Sequence, residues 1–394
     1  MEKRQLRLRA VKPTGTPIRV FRTRRFTQCV CRDGAYTITF SRPPKAKRWL
    51  NWLFLAINLA VISVIFAYQS HTDGVVDFAT FFRTQNGLML LGIALGLFFL
   101  MMLVEVCKIA LLVKRTTGKW NWKLSYKISA LGRYYDCLTP FSSGGQPFQI
   151  YQLHKNGLSM EAATGIPMGK FVYYLIGVCA VSIGLLVFNG ILGTNLNSYV
   201  VLAAFIGIGV DLLLLALLLS FAFSKKNALR LVLKIIGVLT KLRLIKNYYK
   251  AAIRTSRFVK NLQRTMKYYN RSPWIVLGEI LLAMIAFFLT ISTPFVLYTL
   301  LTPSGTVSWF EIATKAMLCT MAANYFPLPG GSGAAELSFA ALFTGLFAQE
   351  TLFWALLLWR IIVYYFYLLQ GVLVMFYQSV KRQRSGNFPQ KRKN

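Results

Sequence analysis

Acidic residues are scarce in this chain: 12 Asp and Glu stand against 46 Lys and Arg in 394 positions, a formal net charge of +34. Histidine is scarcer still at 2, and His71 and His154 sit in different loops without ligand-spaced companions, so no metal site is proposed. The 6 cysteines, Cys29, Cys31, Cys107, Cys137, Cys179 and Cys319, are scattered. They make no disulfide framework, and Cys29-x-Cys31 is too little for a metal site. A Walker-type phosphate loop is missing; "GIPMGKF" from Gly165 is one residue short and lacks the Ser/Thr, which argues against ATP drive. An early apolar core is missing too, because the first apolar run begins near Leu50. No cleavable signal peptide is therefore expected.

Apolar residues are abundant at 55%, with mean hydropathy +0.49. A soluble globular protein does not join that hydropathy to such a charge, whereas a polytopic membrane protein with basic loops does. Nucleic-acid binding would need the cations on one compact folded surface. Here they alternate with segments long enough to cross a bilayer, so that class is set aside.

A helix needs about twenty apolar residues to cross the hydrocarbon, and the segments 49–68, 87–113, 168–188, 198–223, 273–301 and 351–378 meet that standard. Lys and Arg near helix ends are retained in the cytoplasm. Residues 1–48 hold 14 of them, 114–135 hold 6, 223–272 hold 14, and the tail after 378 holds 6, while 69–86, 189–197 and 302–309 hold Arg83 alone. The alternation places both termini in the cytoplasm. Residues 1–48 then form a basic cytoplasmic segment, 49–378 the membrane domain and 379–394 a basic tail. Residues 1–48, including "CVCRDGAYTITF", are expected to form a short strand or hairpin or to stay disordered. Segment 223–272 mixes its cations with Leu, Ile and Val at near-helical spacing, the pattern of helices lying on an anionic leaflet.

Two stretches fit neither span nor loop: "LGRYYDCLTPFSSGGQPFQIYQL", Leu131 to Leu153, and "FEIATKAMLCTMAANYFPLPGGSGAAELSFAALFTGL", Phe310 to Leu346. Each has a helical run, a Gly/Pro break and a second helical run, and each half is too short to cross. Two re-entrant hairpins are expected, one entering from the cytoplasm and one from outside. The fold class is thus an all-α polytopic membrane protein of about six transmembrane helices plus two oppositely oriented re-entrant hairpins, inverted-repeat-like. Bare backbone in lipid costs several kcal/mol per unpaired group, so such breaks must be buried in protein or line a wet cavity. Both breaks place a proline shortly before paired or near-paired glycines, then Gln146 or Glu336 at the next helix start. Free N–H groups and the positive dipole end there would attract a phosphate or carboxylate. The alternative is that Gly and Pro serve only a tight turn and close helix packing.

At these residues the chain resembles the membrane domain of the bacterial lysyl-phosphatidylglycerol synthase/flippase family, also called the multiple peptide resistance factor. "TPFSSGGQPFQIYQL", "AANYFPLPGGSGAAE" and "LLLWRIIVYYFYLLQGV" carry the likeness, which extends over about residues 50–380. Gln146 stands where many members of that family have an acidic residue. The resemblance implies the lipid-translocating half of the family's architecture, without its soluble aminoacyl-transferase domain.

Ionisable side chains inside spans cost about 2.5–3.5 kcal/mol on insertion scales and are functional candidates by default. Glu105 with Lys108 and Glu311 with Lys315 are spaced to neutralise each other and read as structural. Asp211 and Glu279 are lone acids near span ends that either reach the interface, meet a cation or relay protons. Lys170 is expected to snorkel to the cytoplasmic interface. Arg360, about one turn before Tyr364 and Tyr365, can clamp a phosphate or pair with Glu336 or Glu279. The candidate substrate-binding residues are Thr139, Pro140, Gly144, Gly145, Gln146, Gln149, Tyr151, Pro329, Gly330, Gly331, Gly333, Glu336, Arg360 and Tyr364. Backbone N–H groups of the five glycines, with Arg360, would hold the phosphate, and Glu336 a headgroup amine or a proton.

The expected function is non-enzymatic translocation of a phospholipid or aminoacylated phospholipid across the bacterial cytoplasmic membrane, with no catalytic residue and no cofactor. The partners are membrane lipids and no nucleic acid; a homo-oligomer and a separately encoded soluble synthase are both compatible. A lipid aminoacyl- or glycosyl-transferase and a small-anion carrier are the alternatives.

Overall fold

A computed structural model describes residues 5–9, 26–32, 35–40, 87–192, 196–223, 271–302, 305–328 and 330–386, with single positions between 237 and 268. The expected span 49–68, His71, Pro329, most of the basic segment 223–272 and the end of the tail lie outside the described residues. The chain divides into two units, Met1–Ile57 and Asn58–Asn394.

In the first unit, β1 (Gln5–Arg9), β2 (Phe26–Arg32) and β3 (Ala35–Phe40) form an antiparallel sheet in the order β1-β3-β2. The register runs Gln5↔Thr39 to Arg9↔Ala35 on one side of β3 and ends at Arg32↔Ala35 on the other. Asp33-Gly34 between those last two residues is a strong hairpin signal, and "AYTITF" carries β-favouring residues. An all-α class therefore holds for the described residues of the second unit and not for the whole chain.

The described elements of the second unit are helical: α1 (Gly87–Thr117), α2 (Trp122–Leu138), α3 (Gly145–Lys155), α4 (Met160–Leu192), α5 (Ser198–Phe223), α6 (Pro273–Leu301), α7 (Trp309–Tyr325), α8 (Ala334–Phe343) and α9 (Gln349–Arg360), then a π-helical turn at Ile361–Tyr365 and α10 (Phe366–Gly386). Among the described residues, five segments are long and apolar enough to cross a membrane: Leu88–Thr117, Ala162–Leu192, Ser198–Ser220, Pro273–Leu301 and Thr351–Gln378. They coincide with five of the six expected spans. Hydrophobicity that extends around the whole helix, as in α5 and α6, is what a lipid-facing or fully packed helix requires.

Helix α6 packs against α4, α1 and α7, and α10 against α2. Small residues allow the close crossings: a Cβ on Gly177 of α4 would stand 2.9 Å from the Ala283 methyl of α6, and one on Gly371 of α10 would stand 2.4 Å from Tyr134 of α2. Around α8, Phe339 stacks on Phe343 at 4.3 Å and on Trp359 at 5.0 Å, which fixes α8 against α9. That contact positions the second break beside Arg360.

Candidate functional site: a charged cavity between two helix breaks

The first break joins α2 to α3. Ser142 and Phe141 adopt left-handed φ values of 47° and 55°, a conformation that non-glycine residues rarely take and that costs about 1–3 kcal/mol each. The Gly144 amide donates to Thr139 Oγ1 at 2.7 Å and the Gly145 amide to Asp136 Oδ1 at 2.8 Å. Both glycines are needed for closeness: a Cβ on Gly145 would stand 2.3 Å from Asp136 Oδ1 and 2.5 Å from the Gly132 carbonyl.

The second break joins α7 to α8 by different means. Gly330, Gly331 and Gly333 have φ of 62°, 64° and 88°, the left-handed backbone that glycine adopts without a steric penalty. The Gly331 amide donates to the Leu328 carbonyl at 3.0 Å and the Gly333 amide to Glu336 Oε2 at 2.7 Å. Glu336 thereby caps its own helix start. The amides of Gly144, Gly145, Gly331 and Gly333, expected as phosphate donors, each donate to an oxygen inside the protein.

Arg360 meets Glu336 in the buried pair: Nε donates to Glu336 Oε1 at 2.8 Å and Nη2 lies 2.7 Å from the same oxygen. The residues are 4% and 2% exposed. Of the partners expected for Arg360, the fold selects Glu336. Nη1 reaches the Gly330 carbonyl at 3.5 Å, and the guanidinium lies over Trp359 and Tyr364 at 5.4 and 5.3 Å from the ring centres. The π-helical turn that follows Arg360 carries Tyr364, whose hydroxyl donates to the Cys137 carbonyl at 3.1 Å. One hydrogen bond thus ties α2, before the first break, to the helix beside the second. Such π turns recur at functional sites.

Between the breaks lie a cavity of about 590 Å³ and a smaller chamber of about 120 Å³. Glu105, Arg133, Asp136, Ser142, Tyr174, Thr320 and Asn324 line both, so the two spaces meet. Gln146 and Gln149 face the larger space; Gly330, Arg360 and Tyr364 face the smaller one. Thr139, Pro140, Gly144 and Gly145 build the turn behind the lining. Tyr151 does not join the site: it is 58% exposed, with the Lys155 ammonium over its ring, because its position on α3 faces away from α2.

The expected Glu105–Lys108 pair forms at 3.1 Å, but Lys170 Nζ also reaches Glu105 Oε2 at 3.0 Å. Lys170 therefore lines the cavity and does not snorkel, because α4 starts at Met160, ahead of the expected 168, and residue 170 falls inside the helix. Asp211 also faces the cavity and accepts from the Tyr325 hydroxyl at 2.5 Å. Glu279 is fully buried, and neither carboxylate oxygen has a hydrogen-bond partner among the described residues. Glu311 and Lys315 pair at 2.8 Å as expected. The described residues hold no group of three metal-ligating side chains.

Arg133 and Asp136 also line the cavity, although neither is among the candidate residues expected from the sequence. The available signal was that two ionisable residues three apart on a hairpin meant to enter the membrane come under the same rule as those in spans. Asp136 lines the cavity with Arg133 and Lys170 and accepts from the Gly145 amide. Asp136→Ala strips the Gly145 amide of its acceptor and is expected to cost about 1–3 kcal/mol, read as a lower midpoint of thermal unfolding in detergent; Asp136→Asn, which keeps an oxygen, should recover most of it.

The model of the lysylphosphatidylglycerol synthase transmembrane region matches residues 55–371. An Archaeoglobus fulgidus protein described as a UPF0104 membrane protein is 23% identical over 339 residues, 83% of this chain and 96% of the relative. An uncharacterised Mycoplasma genitalium protein is 23% identical over 355 residues, 84% and 88% of the respective chains. No solved structure gives a significant match.

Proposed function

The chain belongs to the lysylphosphatidylglycerol synthase transmembrane-region family, and from that premise we propose that this multi-pass membrane protein carries the headgroup of a phospholipid or aminoacylated phospholipid between the leaflets of the cytoplasmic membrane. In this reading both termini are cytoplasmic, and the α2–α3 and α7–α8 pairs are re-entrant hairpins entering from opposite sides. The observation that carries the reading is the joined cavity: ionisable and polar side chains from both helix breaks face one space enclosed by apolar helices. Sequestered charge of that kind is expensive in a bilayer and is retained where a polar group must pass. The larger space is bounded on one side by Val210 and Leu214 of α5 beside Asp211. An apolar wall with an inset carboxylate suits a headgroup whose acyl chains stay in lipid.

The test is leaflet exchange in proteoliposomes bearing fluorescent phosphatidylglycerol, lysyl-phosphatidylglycerol or a neutral control lipid, read by dithionite quenching. Protein-dependent exchange that discriminates among the headgroups is expected. No exchange of any of the three, with or without a proton gradient, would overturn the reading.

A further inference from the structure

We propose that Arg133 is the phosphate-binding residue of the cavity, an inference that rests on the reading that the cavity admits a headgroup. The cavity's other cations are already engaged. Arg360 is ion-paired with Glu336, to which its Nε donates, and Lys108 and Lys170 share Glu105. Arg133 lies in no ion pair within 4 Å among the described residues and its Nε has no hydrogen-bond partner there, while Tyr367, Glu105 and Asp136 are its electrostatic neighbours. Asp136, one turn along the same helix, has an oxygen committed to the Gly145 amide.

Position and support agree with the vacancy in its donor set. Arg133 lines both the larger cavity and the smaller chamber, at the place where they join. Its guanidinium stacks over the Tyr367 ring at 4.6 Å from the centre, and Tyr367 is itself 1% exposed and packed edge-on against Phe98 at 5.1 Å. The Tyr367 ring supports the guanidinium, and the unpartnered Nε–H is the donor left for an anion, of the kind arginine offers to phosphate oxygens. Ser142, Tyr174 and Asn324 line the same junction and add neutral donors beside the carboxylates of Asp136 and of Glu105, which is paired with Lys108 and Lys170. The left-handed backbone at Ser142 is the local conformation that brings this residue to the junction. With most of the glycine amides of both breaks occupied internally, a phosphodiester or free phosphate entering here finds its cation in Arg133.

The test uses the full chain purified in detergent. Phenylglyoxal modifies arginine side chains, and peptide mass spectrometry reads the rate at Arg133 alone, with inorganic phosphate, with dihexanoyl-phosphatidylglycerol and with dihexanoylglycerol. Phosphatidylglycerol is expected to slow modification of Arg133 about tenfold or more, the scale of losing a charge-assisted hydrogen bond. Equal protection by inorganic phosphate assigns the site to free anions; protection by the phospholipid alone assigns it to a headgroup. Equal rates under all four conditions overturn the proposal. Arg133→Gln is expected to weaken phosphatidylglycerol binding about tenfold or more in thermophoresis, with partial recovery in Arg133→Lys. If neither variant folds, protection in the native protein decides. Lipid exchange with an unprotected Arg133 sinks this assignment and leaves translocation standing, whereas protection without exchange does the reverse.

Discussion

Glu336→Gln should lower stability by about 3–5 kcal/mol, because it leaves the Arg360 guanidinium buried without its counter-charge. The pair is nearly inaccessible, and Glu336 also caps the Gly333 amide, so one substitution removes an ion partner and weakens a helix start. Arg360→Met should cost a comparable amount by stranding the carboxylate. The double variant Glu336→Leu/Arg360→Met is expected to regain most of the loss, since well-packed apolar residues often replace a buried pair at no cost. Thermal unfolding in detergent would read all three. A loss below about 1 kcal/mol in the single variants would mean that the adjoining chamber hydrates Arg360 and that the pair does not hold the fold. The double variant separates structure from transport: a folded protein without exchange would tie the pair to passage of the headgroup.

Gly331→Ala should be more damaging than Gly333→Ala, although both residues stand in one short motif. Gly331 has φ of 64°, and a Cβ there would sit 2.3–2.7 Å from backbone atoms of Ala323 on α7. Backbone cannot swing aside as a side chain can, so the left-handed strain adds to overpacking, together about 2–5 kcal/mol. Gly333 has φ of 88° but open space where a Cβ would go, so only the conformational penalty of about 1–2 kcal/mol applies. The order of the thermal midpoints, wild type above Gly333→Ala above Gly331→Ala, checks the geometry of the second break. Equal midpoints for the two variants would show that α7 does not approach the loop this closely.

The five described helices long and apolar enough to cross a membrane, two helix–break–helix pairs and the membrane class were legible in the sequence, because hydropathy over about twenty residues and Gly/Pro punctuation are local properties. The Glu105–Lys108 and Glu311–Lys315 pairs were legible for the same reason, being set by helix period. What only the tertiary structure decided are the partners that come from distant segments. The two breaks read alike, yet one needs glycine for the approach of α3 to α2 and the other for left-handed backbone and, at Gly331, also for the approach of α7. Amides expected to be free are occupied by Thr139, Asp136 and Glu336. Lys170 turns to Glu105, 65 positions earlier, and Tyr364 to Cys137, 227 positions earlier. Which side chain satisfies a buried donor depends on which helices cross, and no periodicity within one helix encodes that. Arg133 stands out only once every other cavity cation has been given its partner.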